Sequence, residues 1–284
     1  MSRERNPLLS AYAMLVYAFL FLPILILIVY SFNAAPRGLI WAGFTLDWYP
    51  KLLENDELLD ALWVTLRIGV VAVVVSTILG SLLGLGLARL RFRGRAATET
   101  LLLVPMVTPE IVMGLSLLLF FRQLFDGKGG FGQLSIAHVT FCVSYVAIVV
   151  RARAANMNPA LEEAARDLGA SALGAFRHVT LPLIAPAVIA GGLLAFSLSF
   201  DDYVVTTFNS GVGTSTLPLY IYGKVKFGVT PEINAISTII VVGVALAILV
   251  AWRLGAFRGG DGISVTADDV EEARPGRPEG PSVA

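Results

Sequence analysis

Three carboxylates stand where the chain is otherwise apolar, and these residues are the best placed to do chemistry. Asp201 and Asp202 end one hydrophobic run, and Glu110 lies in the middle of another. An ionised side chain is costly to bury unpaired in an apolar segment, so such a residue is a candidate functional site. Adjacent carboxylates attract ammonium groups, although on a helix they point about 100° apart and only one would face a pathway at a time. The structural alternative is that the aspartates cap a helix or pair with Arg67 or Lys224.

We favour a role in a cation pathway for the two aspartates. Glu110 is a second candidate for the same pathway, although a carboxylate satisfied by backbone or by a partner is favoured for it. Pro105 and Pro109 predict a kink near Glu110 that frees backbone carbonyls. His138 is predicted to be a hydrogen-bonded packing residue. Cys142 is the only cysteine, which excludes an intrachain disulfide and a cysteine metal cluster.

The composition indicates that these residues belong to an all-α polytopic membrane protein. The chain is 56% hydrophobic and 15% charged, with a mean hydropathy of +0.75, whereas soluble domains carry roughly a quarter charged residues. Backbone groups in lipid must be satisfied within the segment, so the long apolar stretches are predicted to be helices. Six such spans are predicted, near 11–31, 62–88, 99–121, 133–151, 183–202 and 233–253.

The distribution of Lys and Arg predicts the orientation. Of the 21 such residues, fourteen fall on the side of the two termini and six on the other, while Arg67 lies within the second span. The positive-inside rule therefore predicts cytoplasmic termini. The basic run "RLRFRGR" at 89–95 is explained by the same rule, and with zero net charge it gives no argument for nucleic acid.

A polar segment at 152–182 lies between two strongly apolar ones and carries its own helix signals. Asn158 and Pro159 are typical of a helix start, and Gly169 is typical of a helix end. Four apolar residues recur at helical spacing and predict one apolar face: Leu161, Ala164, Ala165 and Leu168. Ser171 is predicted to cap a second short helix that closes at the fifth span. The pair favours a docking surface for a soluble partner, the alternative being two helices resting on lipid.

This segment resembles the EAA loop of binding-protein-dependent ABC importer permeases of the MetI-like family. The family pattern of E-A-A, three residues, G, nine residues and an aliphatic-x-L-P is matched by these positions: Glu163, Ala164, Ala165, Gly169, Val179, Leu181 and Pro182. The family most often has Ile where this chain has Val179. The resemblance implies a permease fold whose coupling helix inserts into a groove on an ATPase subunit.

The chain has no G-x-x-x-x-G-K-[ST] loop, since neither "DGKGG" at 126–130 nor "YGKVK" at 222–226 fits that pattern. We therefore expect ATP to be bound by a separate subunit. The chain itself is expected to be neither an enzyme nor a holder of a cofactor or metal.

A narrower resemblance covers almost all of the chain except its tail. The stretches "FTLDWYPKLL", "LLVPMVTPEIVMGLSLLLFF", "SFDDYVVTTFNSG" and "TLPLYIYGKVKFGVTPEINAISTI" are similar to the PotC-type permeases of spermidine/putrescine importers. The resemblance implies a polyamine delivered by an extracytoplasmic binding protein, a PotB-like second permease, an ATP-binding subunit dimer and a prokaryotic plasma membrane. The chain is predicted to consist of a first helix and outer loop (1–60), a permease core (61–253) with the coupling loop at 153–182, and a cytoplasmic tail (254–284) whose richness in Gly, Pro, Asp and Glu predicts disorder.

Other functions stay open at this stage. An importer for another small solute, such as an opine, an amino-phosphonate, iron or thiamine, would use the same fold. A secondary transporter would need an internal repeat and would leave the coupling loop unexplained. A membrane scaffold would not need acids within its spans.

Overall fold

The computed structural model describes residues 7–36, 40–125 and 129–253, and within these ranges the regular structure is helical apart from one isolated bridge between Asn33 and Phe44. The helices are α1 (Pro7–Tyr30), α2 (Trp48–Leu53), α3 (Asp56–Arg89), α4 (Arg95–Val107), α5 (Glu110–Phe125), α6 (Phe131–Ala155), α7 (Ala160–Asp167), α8 (Ala172–Ala175), α9 (Leu181–Phe200), α10 (Val204–Asn209), α11 (Leu217–Val225) and α12 (Pro231–Arg253). A π-helical segment, Phe176–Thr180, joins α8 to α9. The predicted tail at 254–284 lies outside the described residues.

Four helical runs of the described chain are long and apolar enough to cross a membrane. They are α1, α3, α6 and the continuous run Ala172–Phe200. The pair α4–α5 is bent by 112° and makes a fifth span if both halves are taken together. The sixth predicted stretch forms α12, whose apolar described part, Pro231–Leu246, is shorter than a span. The all-α membrane architecture is thus confirmed, and the count of six spans stays a prediction.

The third predicted span is the largest departure from the sequence analysis. Residues 99–121 do not form one kinked helix but two helices separated by Thr108 and Pro109. Pro109 has no N–H to donate, and it disfavours a helical backbone at the residue before it. Thr108 is accordingly extended, with φ −69° and ψ 131°. Pro105, in contrast, is accommodated inside α4.

The described chain divides into two compact units, one formed by residues 32–233 and the other by the described residues on either side of that range. The core of the first unit lies where α3 and α9 pack against α6. Small residues allow this close approach, since a Cβ added at Gly80 would lie 2.7 Å from Val146 Cβ, and one added at Gly191 would lie 3.1 Å from Val146 Cγ1. The buried His138 and Cys142 belong to this core.

The loop before α3 contains helical structure outside the predicted spans. It contains a separate short helix, α2, and then α3 begins at Asp56, several residues before the predicted span. Asn55 explains this start, because its side chain accepts a hydrogen bond from Leu58 N and caps the helix. The same side chain donates to Tyr220 Oη and Glu232 Oε1, which ties the start of α3 to α11 and to the first turn of α12.

Candidate functional site

One cavity brings the three predicted acids together. Glu110, Asp201 and Asp202 line a space of about 260 Å³ at the place where α4, α5, α6, α9 and α10 meet. Aromatic and apolar side chains complete the wall: Pro105, Met113, Phe141, Tyr145, Leu198, Tyr203, Val204 and Val205. Three carboxylates beside phenol rings in an otherwise apolar wall make a site suited to a small cation.

The break between α4 and α5 positions Glu110. Because α4 ends at Val107 and α5 begins at Glu110, the carboxylate stands on the first turn of a new helix rather than on the side of a continuous one. Further along α5, Asn209 Nδ2 donates to Gly114 O at 3.0 Å. Gly114 is needed there, since an added Cβ would lie 2.8 Å from Phe208 Cδ2. This contact holds the Glu110 helix against α10.

Asp202 is held by the protein itself. Its Oδ1 accepts from Val205 N at 3.2 Å, and its Oδ2 accepts from both the backbone N and the Oγ1 of Thr206, each at 2.7 Å. These bonds place the carboxylate over the start of α10, and its side chain is 7% exposed. Asp202 therefore shapes the cavity wall by capping a short helix.

His138, on α6, lies next to Asp202 and to Thr206. Its Nε2 lies 3.1 Å from Thr206 Oγ1 and 3.5 Å from Asp202 Oδ2, and its Nδ1 lies 2.8 Å from Ser199 Oγ. The Thr206 hydroxyl donates its proton to Asp202, so its oxygen accepts from Nε2–H, and in the neutral ring Nδ1 then accepts from the Ser199 hydroxyl. The interpretation of His138 as a hydrogen-bonded packing residue fits this geometry, and the network also joins α6, α9 and α10.

Asp201 and Glu110 are the two acids left available. Neither carboxylate makes a hydrogen bond or ion pair with another residue in the part of the chain that the structure describes, and both residues are exposed. Asp201 follows the last residue of α9, so adjacent aspartates point to different surroundings. Sequence reasoning named both aspartates but did not separate the free carboxylate from the capping one.

The predicted cationic partners lie elsewhere. Arg67 stacks over the rings of Phe131 and Trp63, at 5.1 and 6.0 Å. Lys224 Nζ donates to Glu57 Oε2 at 2.9 Å, and this bond raises the pKa of the Lys224 ammonium. The structural alternative is thus realised for Asp202, but with backbone, threonine and histidine as partners.

Within the segment 152–182, the short helix α7 is followed by an elbow at residues 168–171, after which α8 begins. Asn158 Oδ1 accepts from Ala160 N at the start of α7. At its end, Ala170 N donates to Ala165 O and Gly169 N to Arg166 O, the Schellman pattern. Gly169 has φ +90°, a conformation that disfavours other residues, which explains the glycine in the motif. Ser171 Oγ accepts from Gly174 N and caps α8 as predicted.

The outer surface of this elbow is apolar and exposed. Leu168 and Leu173 are 90% and 74% exposed, and no residue of α7 is buried. Glu163 and Ala164 are exposed on the same helix, while Ala165 is half-buried. These side chains have the properties of a docking surface.

The connection to the fifth span differs from the prediction. Leu181 and Pro182 do not close the elbow, because the helix runs without interruption from Ala172 to Phe200 through the π segment. Pro182 has no N–H to donate to the turn before it, and it is accommodated where the hydrogen bonds shift to the π pattern, in which Leu181 N donates to Phe176 O, five residues back. One continuous element of about 43 Å therefore connects the exposed elbow to the rim of the cavity.

Comparison with known proteins decides the family. The family model described as "Binding-protein-dependent transport system inner membrane component" matches residues 76–256. This chain belongs to that family. Its members are permease subunits of ABC importers rather than enzymes, and they work with an ATPase, a substrate-binding protein and another permease. The chain is a multi-pass membrane protein.

Two relatives are similar over nearly the whole chain. The putrescine transport system permease protein PotI of Escherichia coli strain K12 is 41% identical over 258 residues, which are 89% of this chain and 92% of that protein. The spermidine/putrescine transport system permease protein PotC of Haemophilus influenzae strain Rd is 44% identical over 245 residues, or 86% and 95%. The resemblance seen in the sequence is thereby confirmed.

Solved structures show the same fold. A bacterial alginate ABC transporter, crystallised with its periplasmic protein bound to an alginate pentasaccharide, has a chain that superposes with a TM-score of 0.69 at 18% identity. The superposition covers 92% of this chain and 98% of that one. At this identity the likeness supports the fold.

Proposed function

We propose that this chain is the transmembrane permease subunit of an ATP-driven importer for polyamines such as spermidine and putrescine. The cavity at the α4–α5 break carries the proposal, because it joins Glu110, Asp201 and Asp202 in one small space. The names of PotI and PotC, at 41% and 44% identity, support the same substrate class.

The chemistry of the cavity suits an ammonium group. A carboxylate without a protein partner can neutralise a cation that loses its hydration shell on entering the membrane. Asp201 and Glu110 stand on different elements, and each can take one ammonium of a diamine. Tyr145 and Tyr203 line the same space and offer ring faces to a cation. An anionic substrate would be repelled by three carboxylates.

The exposed elbow supplies the coupling to ATP hydrolysis. In this proposal Glu163, Ala164, Ala165 and Gly169 dock into an ATP-binding subunit, and Leu181–Pro182 lead from the docked helix into α9. ATP is bound by that partner dimer, so this chain needs no cofactor. A PotB-like second permease completes the pathway, and an extracytoplasmic binding protein delivers the substrate.

The membrane arrangement follows from the positive-inside count. The elbow and both termini lie in the cytoplasm of a prokaryotic cell, and the permease sits in its plasma membrane with six spans. Residues 1–60 form a first helix with its outer loop, residues 61–253 form the core with the coupling loop at 153–182, and residues 254–284 form a cytoplasmic tail.

Uptake of labelled spermidine and putrescine tests the substrate. The chain is expressed with its ATPase, second permease and binding protein in cells that lack their own polyamine importers. Uptake that disappears when this chain is omitted supports the proposal. An assembled complex with active ATPase and no polyamine uptake refutes the substrate and leaves an opine, amino-phosphonate, iron or thiamine importer as the alternative.

Substitutions in the elbow test the coupling. Glu163→Lys and Gly169→Asp should uncouple ATPase activity from transport without preventing insertion into the membrane. The measurement is uptake per ATP hydrolysed, normalised to the amount of complex in the membrane. Normal uptake in both variants would refute docking through this helix.

A further inference from the structure

Glu162 lies beside the motif residue Glu163 but faces the protein rather than the docking surface. Its Oε2 lies 3.4 Å from Arg89 Nη1, at the last residue of α3. Its Oε1 accepts a hydrogen bond from Thr180 Oγ1, at the last residue of the π segment. One carboxylate thus joins α7 to two other helical elements.

This contact supplies the polar side-chain attachment of α7 to other helices. In the described part of the chain, no other α7 side chain makes a hydrogen bond or ion pair to another helix. Thr180 is 1% exposed, and the Glu162 and Arg89 side chains are 24% and 20% exposed. The ion pair is therefore shielded from water more than an ordinary surface pair, which strengthens it.

Arg89 depends on Glu162 in return. Its Nε and Nη2 are buried without a hydrogen-bond partner among the described residues. A guanidinium has five donors and no acceptor, so Glu162 is the group that compensates its charge. Removing the carboxylate would leave a partly buried cation unpaired.

Of the two tied elements, α9 leads from the elbow to the rim of the cavity, and α3 packs along α9. From Thr180, α9 continues to Phe200, a distance of about 30 Å along the helix, and Asp201 follows directly. From Arg89, α3 runs back through the core and packs along α9, where an added Cβ at Gly192 would lie 3.1 Å from Thr77 Oγ1. A displacement of α7 is therefore passed to both helices at their ends.

We propose that Glu162 is a positioning residue that transmits movement of α7 to α3 and α9. The inference rests on the proposed function, because it assumes that a partner subunit moves α7. The two neighbouring glutamates then have different roles, because side chains about 100° apart on a helix face different surroundings. Glu163 faces the partner, and Glu162 connects the docked helix to the permease core.

Charge reversal tests the contact. The complex carries Glu162→Arg, Arg89→Glu or both, and uptake per ATP hydrolysed is measured together with binding-protein-stimulated ATPase activity. Each single variant should lose at least tenfold in coupled uptake, and the double variant should recover a third or more of the wild-type value. Asp60→Arg, exposed at the other end of α3, is the matched control and should behave as wild type.

The results separate this inference from the polyamine proposal. Polyamine uptake by wild type tests the substrate, whereas the variant-to-wild-type ratio of stimulated ATPase activity tests Glu162 whatever the substrate is. Single variants with wild-type coupling, or a double variant no better than the singles, would overturn the inference.

If a charge reversal blocks assembly of the complex, Glu162→Gln and Arg89→Gln replace the reversed variants. Coupling should then fall in each and no further in the double variant, because both act through one contact, and additive losses would overturn the inference.

Discussion

Asp201 and Asp202 should respond in opposite ways to the same substitution by asparagine. An asparagine at 202 can present only one acceptor oxygen, so at least one donor among Val205 N, Thr206 N and Thr206 Oγ1 must face an amide NH₂. A buried donor left without its partner costs about 1–3 kcal/mol, and the loss of a charged acceptor adds to this. We expect Asp202→Asn to lower the free energy of unfolding by about 2–4 kcal/mol, a fall of roughly 5–10 °C in Tm.

Asp201→Asn removes no protein contact of this kind. Its effect on stability should stay within about 0.5 kcal/mol, as for other unpaired side chains. If the carboxylate binds a substrate ammonium, however, uptake loses an interaction of about 1.5–3 kcal/mol, which is roughly 10- to 100-fold in KM.

Thermal unfolding of the purified complex and concentration-dependent uptake measure the two effects separately. Asp60→Asn, exposed on α3, controls for a change of charge alone. An unchanged KM in Asp201→Asn, or an unchanged Tm in Asp202→Asn, would refute the division between a free carboxylate and a capping one.

Three further experiments test the core and the elbow. His138→Ala removes the acceptor of the buried Ser199 hydroxyl and one of the two partners of Thr206 Oγ1, and it opens a void, so thermal unfolding should show a loss of about 2–5 kcal/mol. Gly80→Ala should destabilise by about 1–3 kcal/mol because the new Cβ meets Val146, whereas Gly86→Ala on the same helix meets nothing within 4 Å and should unfold at or slightly above the wild-type temperature. Gly169→Ala strains a backbone with φ +90° and should reduce coupled uptake more than Gly169→Asn, which tolerates that region better.

Local signals in the sequence predicted the elbow well. Asn158, Gly169 and Ser171 act within two to five residues of their own positions, through hydrogen bonds that a short segment can form by itself. Such capping depends on residue type and spacing, so a single sequence contains the information. The π segment and the continuous helix beyond it were missed, because Leu181–Pro182 was interpreted as a stop rather than as a second position of α9.

The cavity could not be predicted from local sequence signals alone. Glu110, Asp201 and Asp202 attracted attention as acids among apolar residues, but Tyr145 and Tyr203 carried no pattern that marked them as wall residues. The bend of 112° at Pro109 was underestimated as a kink, since a proline in a sequence does not report how far the helices on either side turn.

The sequence by itself determined the class of protein, the approximate helices and the exposed elbow. These features follow from composition, from the length of apolar runs and from the spacing of the E-A-A motif, all of which involve residues close together in the chain. The tertiary structure decided which acids have partners. His138 and Thr206 are 68 positions apart, and Arg89 reaches Glu162 only because the end of α3 lies beside the first turn of α7. Contacts between distant segments follow from the packing of whole helices, and packing is what assigned Asp202 to a cap, left Asp201 free and turned Glu162 toward the core.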